Sequence, residues 1–343
     1  MTMPVTVITR EADGLDLEAT QRAERGSLLQ AMPQRGLHVL HDVLCFPRRY
    51  GLWSSSGDLI RESLFVRRNG AHTWPDFPAR VATDSVRRQH ADPVVWMGIV
   101  QRHFGHLVTE SIARLWAWAE AAVGPEVRFL VSAEPGTLDA PGSVAAVLFA
   151  GAGLGERLLM PTEPTRFTSV ILPMQSFSLQ GPCYPNHVAV PRRIASAILA
   201  KEHSPSREVP VYLSRSGGTF QRPAVNETEL EDHLRQAGVR IVHPEQLSFG
   251  EQVALWNSHD TVVGMLGSAF HAMVFSLRGR EQRTIVLCEE IPSHYAAIDL
   301  MTGVDATYLR CVDGGDWEDR TAPRRIDMDF ARRSLAQLGI LSA

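Results

Sequence analysis

From Val209 onward the chain repeats one arrangement: a short apolar run, then a stretch with helical spacing. The runs are "VPVYLS", "VRIVHP", "DTVVG" and "RTIVLCE", and between them stand "ETELEDHLRQAG", "FGEQVALWNS" and "SAFHAMVFSL". Runs this short and this rich in β-branched residues read as buried strands rather than helices. A strand that must reach a parallel neighbour needs a crossover, usually helical, so the alternation predicts βαβ units and a parallel sheet. Local signals agree. Leu230 and Leu234 share one helix face, with Gly238 as the stop. Ser248 and Glu251 have capping-box spacing. In open parallel sheets ligands lie beyond the carboxyl ends of the strands, so the residues that follow each strand are the ones to inspect.

Upstream the pattern is looser. A helix is expected from His103 to about Ala122, then a strand at "VRFLVS", a helix at "VAAVLFAGAG", and strands at "RLLM" and "FTSVILP". The stretch "QGPCYPNHVAVP" reads as a linker, and "RRIASAILAKE" as a helix after it. The first hundred or so residues interleave proline, arginine and aromatics without a clean period. "DMDFARRSLAQLG" reads as a terminal helix. The 343 residues suit two domains. The expected division is an N-terminal α/β domain over residues 1–190, a C-terminal domain over 191–322, and a terminal helix in 323–343 that packs back on the N-terminal domain.

Composition excludes several classes. Lys and Arg number 34 against 38 Asp and Glu, a formal charge of −4, which argues against a general nucleic-acid binder. Cys45, Cys183, Cys288 and Cys311 form no CxxC pair, so neither a cysteine zinc site nor a disulfide framework is expected. The opening residues lack the basic-then-apolar pattern of a signal peptide. No apolar run reaches the roughly 18 residues of a membrane span. The expectation is a cytoplasmic protein. Peripheral association with the inner membrane through Arg48, Arg49, Arg67 and Arg68 stays open, with scattered surface arginines as the default.

Candidate functional residues follow from position. Arg215 stands at the carboxyl end of "VYLS", where a guanidinium can grip a phosphate or carboxylate through two hydrogen bonds; the alternative is a surface ion pair. "SGGT" beside it leans toward a ligand loop. Arg222, Asn226 and Glu227 follow; Asn226, with Glu229 three residues on, also reads as an N-cap. In "VVGMLGSAFHA" a strand runs into Gly267 and Ser268, a turn that suits an anion, although such turns often need glycine for packing alone. His271 lies in the first helical turn, where a lone histidine is more often a satisfied core residue. Glu289 and Glu290 meet a loop at the sheet edge and could accept from sugar hydroxyls or simply be solvated.

The stretch "HFGHLVTESIARLW" carries the densest chemistry. At helical spacing His103, His106, Glu110 and Arg114 form one stripe opposite Phe104, Val108, Ile112 and Leu115. Three readings compete: a zinc site on His103, His106 and Glu110, which lacks HExxH; a solvated face with a Glu110–Arg114 pair; and an acid/base cluster.

With these segments together, the chain resembles glycosyltransferase family 61, whose members are nucleotide-sugar-dependent inverting transferases. The resemblance spans about His103 to Tyr295 and rests on "HFGHLVTESIARLW", "YLSR" with "RPAVNE", "HPEQLSFGEQVALW" and "VVGMLGSAFHAMVFS". Many members carry a histidine before the glycine in a "GxHGAG" loop; here that position is Leu266, and Ala269 replaces the second glycine. The resemblance implies an α/β GT-B fold, two Rossmann-like domains facing across a cleft. It implies a sugar passing from a nucleotide-sugar, expectedly a UDP-sugar, to a glycan or lipid-linked glycan in capsule, lipopolysaccharide or exopolysaccharide synthesis. Arg215, Arg222, Asn226, Glu245, Gly267, Ser268, His271 and Glu289 would then bind the donor. His106 and Glu110 would be the catalytic pair, with His103 and Arg114 on the acceptor side. No metal and no cofactor beyond the donor itself are expected. A noncatalytic nucleotide-sugar or glycan-binding subunit of an assembly complex is the competing reading, kept alive by Leu266. A dinucleotide oxidoreductase would need GxGxxG opening a βαβ unit, which is missing.

Overall fold

A computed structural model describes residues 6–8, 18–19, 36–65, 78–120, 122–140, 142–179, 183–200, 209–218, 224–314 and 323–342. The fold is mixed α/β. Its contacts divide it into two units, one made of Met1–Gly26 with Ile198–Ala343 and the other of Ser27–Ala197. This division departs from the expected boundaries at the start of the chain: strand β1 (Thr6–Ile8) lies in the sheet of the C-terminal unit, and β2 (Glu18–Ala19) pairs with it antiparallel.

The unit of residues 27–197 holds an eight-stranded mixed sheet. Its strands are β3 (Leu37–Cys45), β4 (Leu52–Trp53), β5 (Leu59–Ile60), β6 (Arg88–His90), β7 (Val94–Val100), β8 (Arg128–Ala133), β9 (Leu158–Leu159) and β10 (Thr165–Pro173), in the order β5-β4-β3-β10-β7-β8-β9 with β6 against β10. The β10, β7, β8 and β9 strands are parallel, and β3 joins β10 antiparallel. All seven residues of β7, "VVWMGIV", are buried, as a strand covered on both faces requires. Val94, Trp96, Leu130, Phe167 and Val170 form the centre of its core, each worth about 1.5–3 kcal/mol on full burial. The ladder between β7 and β8 shifts register between Trp96 and Gly98. Gly98 has φ +100°, and a Cβ there would meet the Phe65 ring at 2.6 Å, so this bulge demands glycine. Helix α1 (Val144–Gly151) links β8 to β9, and α2 (Ala189–Leu199) closes the unit. The expected linker therefore ends early: a 3₁₀ turn over Pro185–Val188 runs straight into α2, and Pro191 sits in its first turn, where its missing N–H costs nothing.

The other unit carries the expected four strands with their crossovers and adds further strands to them. Its strands β11 (Val211–Leu213), β12 (Arg240–Val242), β13 (Thr261–Met265), β14 (Arg283–Cys288) and β15 (Asp305–Arg310) are parallel, as is β1 beside β15, giving the order β12-β11-β13-β14-β15-β1-β2. Helices α3 (Glu227–Gln236), α4 (Phe249–Ser258) and α5 (Ser293–Thr302) and a 3₁₀ helix over Ser268–Phe275 make the crossovers. Ser248 and Glu251 form the expected capping box at the start of α4. Tyr212, Val263, Met265, Ile285, Leu287 and Leu309, alternate residues of their strands, share one core with Leu230 and Leu234 of α3. Phe330, Ala331 and Leu335 of the terminal helix α6 (Met328–Gln337) fill that same core. The terminal helix is thus part of the C-terminal unit and not, as expected, a return to the N-terminal domain. Its apolar side packs into the core that α3 and the strands share.

Among the described residues no helix is long and apolar enough to cross a membrane.

Candidate functional site

The segment that begins at His103 is not one amphipathic helix. A single α-turn (Phe104–His106) passes into a π-helix (Leu107–Ser111), then turns, then a short α-helix (Trp116–Ala119). Thr109 Oγ1 donates to the Gly105 carbonyl at 2.7 Å, and the wider π turn breaks the 100° phase on which the expected polar stripe depended. Glu110 is 1% exposed and Arg114 2%. The solvated-face reading is overturned: the carboxylate and the guanidinium are interior groups, and each has found different partners.

Glu110 turns to His106. Its Oε2 accepts from His106 Nδ1 at 2.6 Å, while the histidine side chain stays 33% exposed. The same oxygen accepts from Gln101 Nε2 at 3.1 Å. His103 is exposed, with its ring 5.1 Å from that of His106. Among the described residues no group of three or more His, Cys, Asp or Glu is disposed to hold a metal ion, and His106 Nδ1 is already committed to Glu110.

Arg114 makes no pair with Glu110. Its guanidinium donates to the carbonyls of Pro173, Ser63, Glu62 and Leu64 and stacks 4.8 Å above the Phe65 ring. Burial pulls it down to about 9, so it stays charged at neutral pH. These contacts make Arg114 a structural clamp, where the expectation had placed it on the acceptor side. A second strut holds the π-helix from behind. His187 places Nε2 3.3 Å from the Val108 carbonyl and Nδ1 3.0 Å from Ser176 Oγ, and Ser176 donates to the Ala113 carbonyl. Burial lowers His187 to about 4.

In the C-terminal unit the strand order reverses direction between β11 and β13. Such a switch point opens a crevice at the carboxyl ends of the two strands, the general ligand position in this architecture. Arg215 follows β11 there, and Gly267 follows β13. Arg215 Nη1 donates to the Leu266 carbonyl at 3.1 Å, and its main-chain N–H donates to Glu227 Oε1 at 2.9 Å. A Cβ on Gly267 would come within 3.2 Å of Nη1. Gly267 is thus the surface across which the guanidinium lies. Gly264, by contrast, serves packing: its missing Cβ makes room for Leu213 and Phe270.

Glu227 is a buried carboxyl that also accepts from the Tyr212 hydroxyl at 3.0 Å; burial raises it, and the two donors oppose that rise. Ser268 is partly exposed beside Gly267. His271 is buried with its ring stacked 4.7 Å from Tyr295. Burial pushes the Tyr295 phenol up, and the Arg215 charge pulls against it. Glu245 lies 3.8 Å from His243, the residue that follows β12. Glu289 follows β14, with Oε2 3.3 Å from Arg324 and its carbonyl accepting from Arg310. Asn226, expected at the donor, turns to the chain itself. It is 8% exposed, and its amide exchanges two hydrogen bonds with the Ile326 main chain, at 2.8 and 2.9 Å. It occupies the N-cap position of α3 yet makes no side-chain cap. Arg222 lies outside the described residues.

Three residues went unnoticed in the sequence. Gln101 and His243 each stand at the carboxyl end of a strand, and inspecting every strand end would have found both. Arg324 reaches the β14 edge from a distant loop and carries no local signal.

No curated protein matches the chain. Residues 104–286, more than half of it, match the family model for glycosyltransferase 61, and this span contains His106, Glu110, Arg215 and the Gly267 turn. The chain belongs to glycosyltransferase family 61 and is a glycosyltransferase.

Proposed function

We propose that the protein transfers a sugar, with inversion, from a nucleotide diphosphate sugar to a hydroxyl of a glycan or lipid-linked glycan. A UDP-sugar is the proposed donor and polysaccharide assembly the proposed setting. One observation carries the reading: an accessible imidazole, His106, whose Nδ1 is held at 2.6 Å by a buried carboxylate, Glu110. With Nδ1–H given to the carboxylate, Nε2 bears the lone pair. An acceptor hydroxyl then attacks the anomeric carbon from the face opposite the donor phosphate. Its proton goes to His106 Nε2, the new carbon–oxygen bond forms, and the electron pair of the breaking bond leaves on the β-phosphate oxygen. Glu110 stabilises the imidazolium as it forms.

The leaving diphosphate gains charge as the bond breaks, and fixed cations and N–H groups can meet that charge without a metal. Arg215 across Gly267, at the switch point of a parallel sheet, supports this assignment. Ser268 and His271 line the same turn, and Glu245 and Glu289 are the proposed partners of ribose or sugar hydroxyls. His103 belongs to the acceptor side in this reading. A GT-B architecture is supported by two units that each carry their own sheet with parallel strands.

The test is His106→Ala in purified protein supplied with donor and acceptor. Transfer should fall about 10²- to 10⁴-fold, the usual contribution of a general base, with nucleotide affinity kept. Undiminished transfer would remove His106 from catalysis. A wild-type protein that binds nucleotide-sugar but neither transfers nor hydrolyses it would instead support the noncatalytic binding subunit.

A further inference from the structure

We propose that Gln101 is a positioning residue for the transfer: its side-chain amide holds the Glu110 carboxylate ionised and aimed at His106 Nδ1, which leaves Nε2 to face the acceptor hydroxyl. The proposal rests on the reading of His106 as base and extends it by one residue.

Gln101 is the first residue after β7, at the carboxyl end of a wholly buried strand, and it is itself 3% exposed. A polar residue there has no water to fall back on, so its amide must find protein partners. It bonds the segment twice, and the two bonds separate positioning from folding. Its main-chain N–H donates to Ser111 Oγ at 3.0 Å, which stitches the strand end to the π-helix whatever the side chain is. Its side-chain Nε2 donates to Glu110 Oε2 at 3.1 Å, the oxygen that also receives His106.

The chemistry of the three groups fixes the direction of each bond. An ionised carboxylate only accepts, and an amide nitrogen only donates, so the Gln101 contact favours the ionised form of Glu110. A carboxylate with two donors on one oxygen is also fixed in orientation. His106 must then give its Nδ1 proton to Glu110, which sets the tautomer. Remove the amide, and two things change together. The carboxylate can rotate away from its hold, and more of its charge falls to His106, beside which the His103 ring stands at 5.1 Å. The pair then binds a proton more tightly, and the pH at which the base becomes available rises.

The experiment follows transfer against pH for wild type, Gln101→Leu, Gln101→Glu and His106→Ala, with ¹⁵N spectra of His106 assigned by difference from His106→Ala. In wild type at pH 8, His106 should be the Nδ1–H tautomer. The opposite tautomer would overturn the proposal without any variant. Gln101→Leu should move the acidic limb of the rate profile upward by about half to one pH unit and lower kcat roughly tenfold, while KM for the donor stays within about twofold. It should also mix the His106 tautomers. Gln101→Glu keeps the shape and reverses the sign: a second carboxylate against Glu110 should cost more activity than leucine at neutral pH. A purely structural role would lower kcat and folded fraction together and leave both the limb and the tautomer where they are; that result overturns the proposal. If Gln101→Leu matches wild type while His106→Ala is inactive, the positioning role alone is wrong. If His106→Ala retains transfer, the base assignment fails first.

Discussion

Arg114→Lys separates a structural arginine from a substrate-binding one more cleanly than any other change in the N-terminal unit. The native guanidinium donates from Nε to Pro173, from Nη1 to Ser63, and from Nη2 to Glu62 and Leu64, at 2.8–3.1 Å. Hydrogen bonds to a charged group are each worth about 1.5–3 kcal/mol net, so a plain sum would be roughly 6–12 kcal/mol. The true loss is smaller, because removing the native group also removes the cost of burying it. A lysine has one ammonium on a flexible stem and cannot reach both the Glu62–Leu64 loop and Pro173 with a planar fork. It would leave carbonyls buried without donors and a charge poorly solvated, a loss of about 3–5 kcal/mol. For a unit of this size that is a fall in Tm of roughly 6–20 °C. Urea unfolding of the purified variant, followed by tryptophan fluorescence, measures it directly: Trp96 and Trp116 donate to carbonyls of the same loops. Nucleotide affinity should be kept, since the contacts of Arg215 given above all lie in the other unit. An unchanged urea midpoint together with lost transfer would refute the clamp and return Arg114 to the acceptor.

Two further predictions use single residues. Arg215→Ala should weaken nucleotide-diphosphate binding by one or two charge-assisted bonds, about 1.5–3 kcal/mol each, or at least tenfold in Kd by titration calorimetry; an unchanged Kd rejects the donor assignment. His187 titrates near 6.5 in the unfolded chain and at about 4 in the fold, so between those values the unfolded state binds more protons. Stability is therefore present above pH 6.5 and lost as pH falls toward 4, by about 3 kcal/mol at 1.36 kcal/mol per pH unit. Urea midpoints at pH 7 and pH 4.5 check it. A loss of the same size in His187→Gln would show that other groups are responsible.

In the C-terminal sheet β11, β13 and β14 were legible because nearly all their residues are buried, and α3 and α4 carry a stop at Gly238 and the Ser248–Glu251 cap; β15, bounded by the exposed Asp305 and Arg310, was not expected. The N-terminal unit hid its long strand β3 because the burial along "LHVLHDVLC" does not alternate: six partly or fully exposed residues are followed by three buried ones. The division of the chain was not legible, since β1 and α6 join their sheet through long-range pairing and packing that no local spacing encodes. At the site, His106 and Glu110 stood out as a pair at i,i+4 spacing, and the structure joins them on a different scaffold. An i,i+4 spacing survives the passage into a π turn, but the phase of the whole stripe does not, so Arg114 lands in the interior. The bonding of Asn226 was not legible for a different reason: its partner Ile326 is a hundred residues away in sequence.

Leu266 stands where the resemblance noted above leads one to expect a histidine, and the geometry shows what that position supplies. What Arg215 takes from position 266 is a main-chain carbonyl, a group that every residue supplies, while the leucine side chain is 8% exposed. What it takes from position 267 is the absence of a side chain, since a Cβ would stand 3.2 Å from Nη1. At its other end Arg215 is anchored by its own N–H on Glu227, whose carboxyl is steadied by the Tyr212 hydroxyl. Ordering an arginine costs up to about 2 kcal/mol of rotamer freedom. Here that cost falls on folding, before any ligand arrives. A cation fixed in advance answers developing charge without reorganising, which is the property the proposed role requires. In the proposed donor site, residue 266 would then tune the surroundings of the diphosphate, while Arg215, Gly267 and Glu227 would form its cradle.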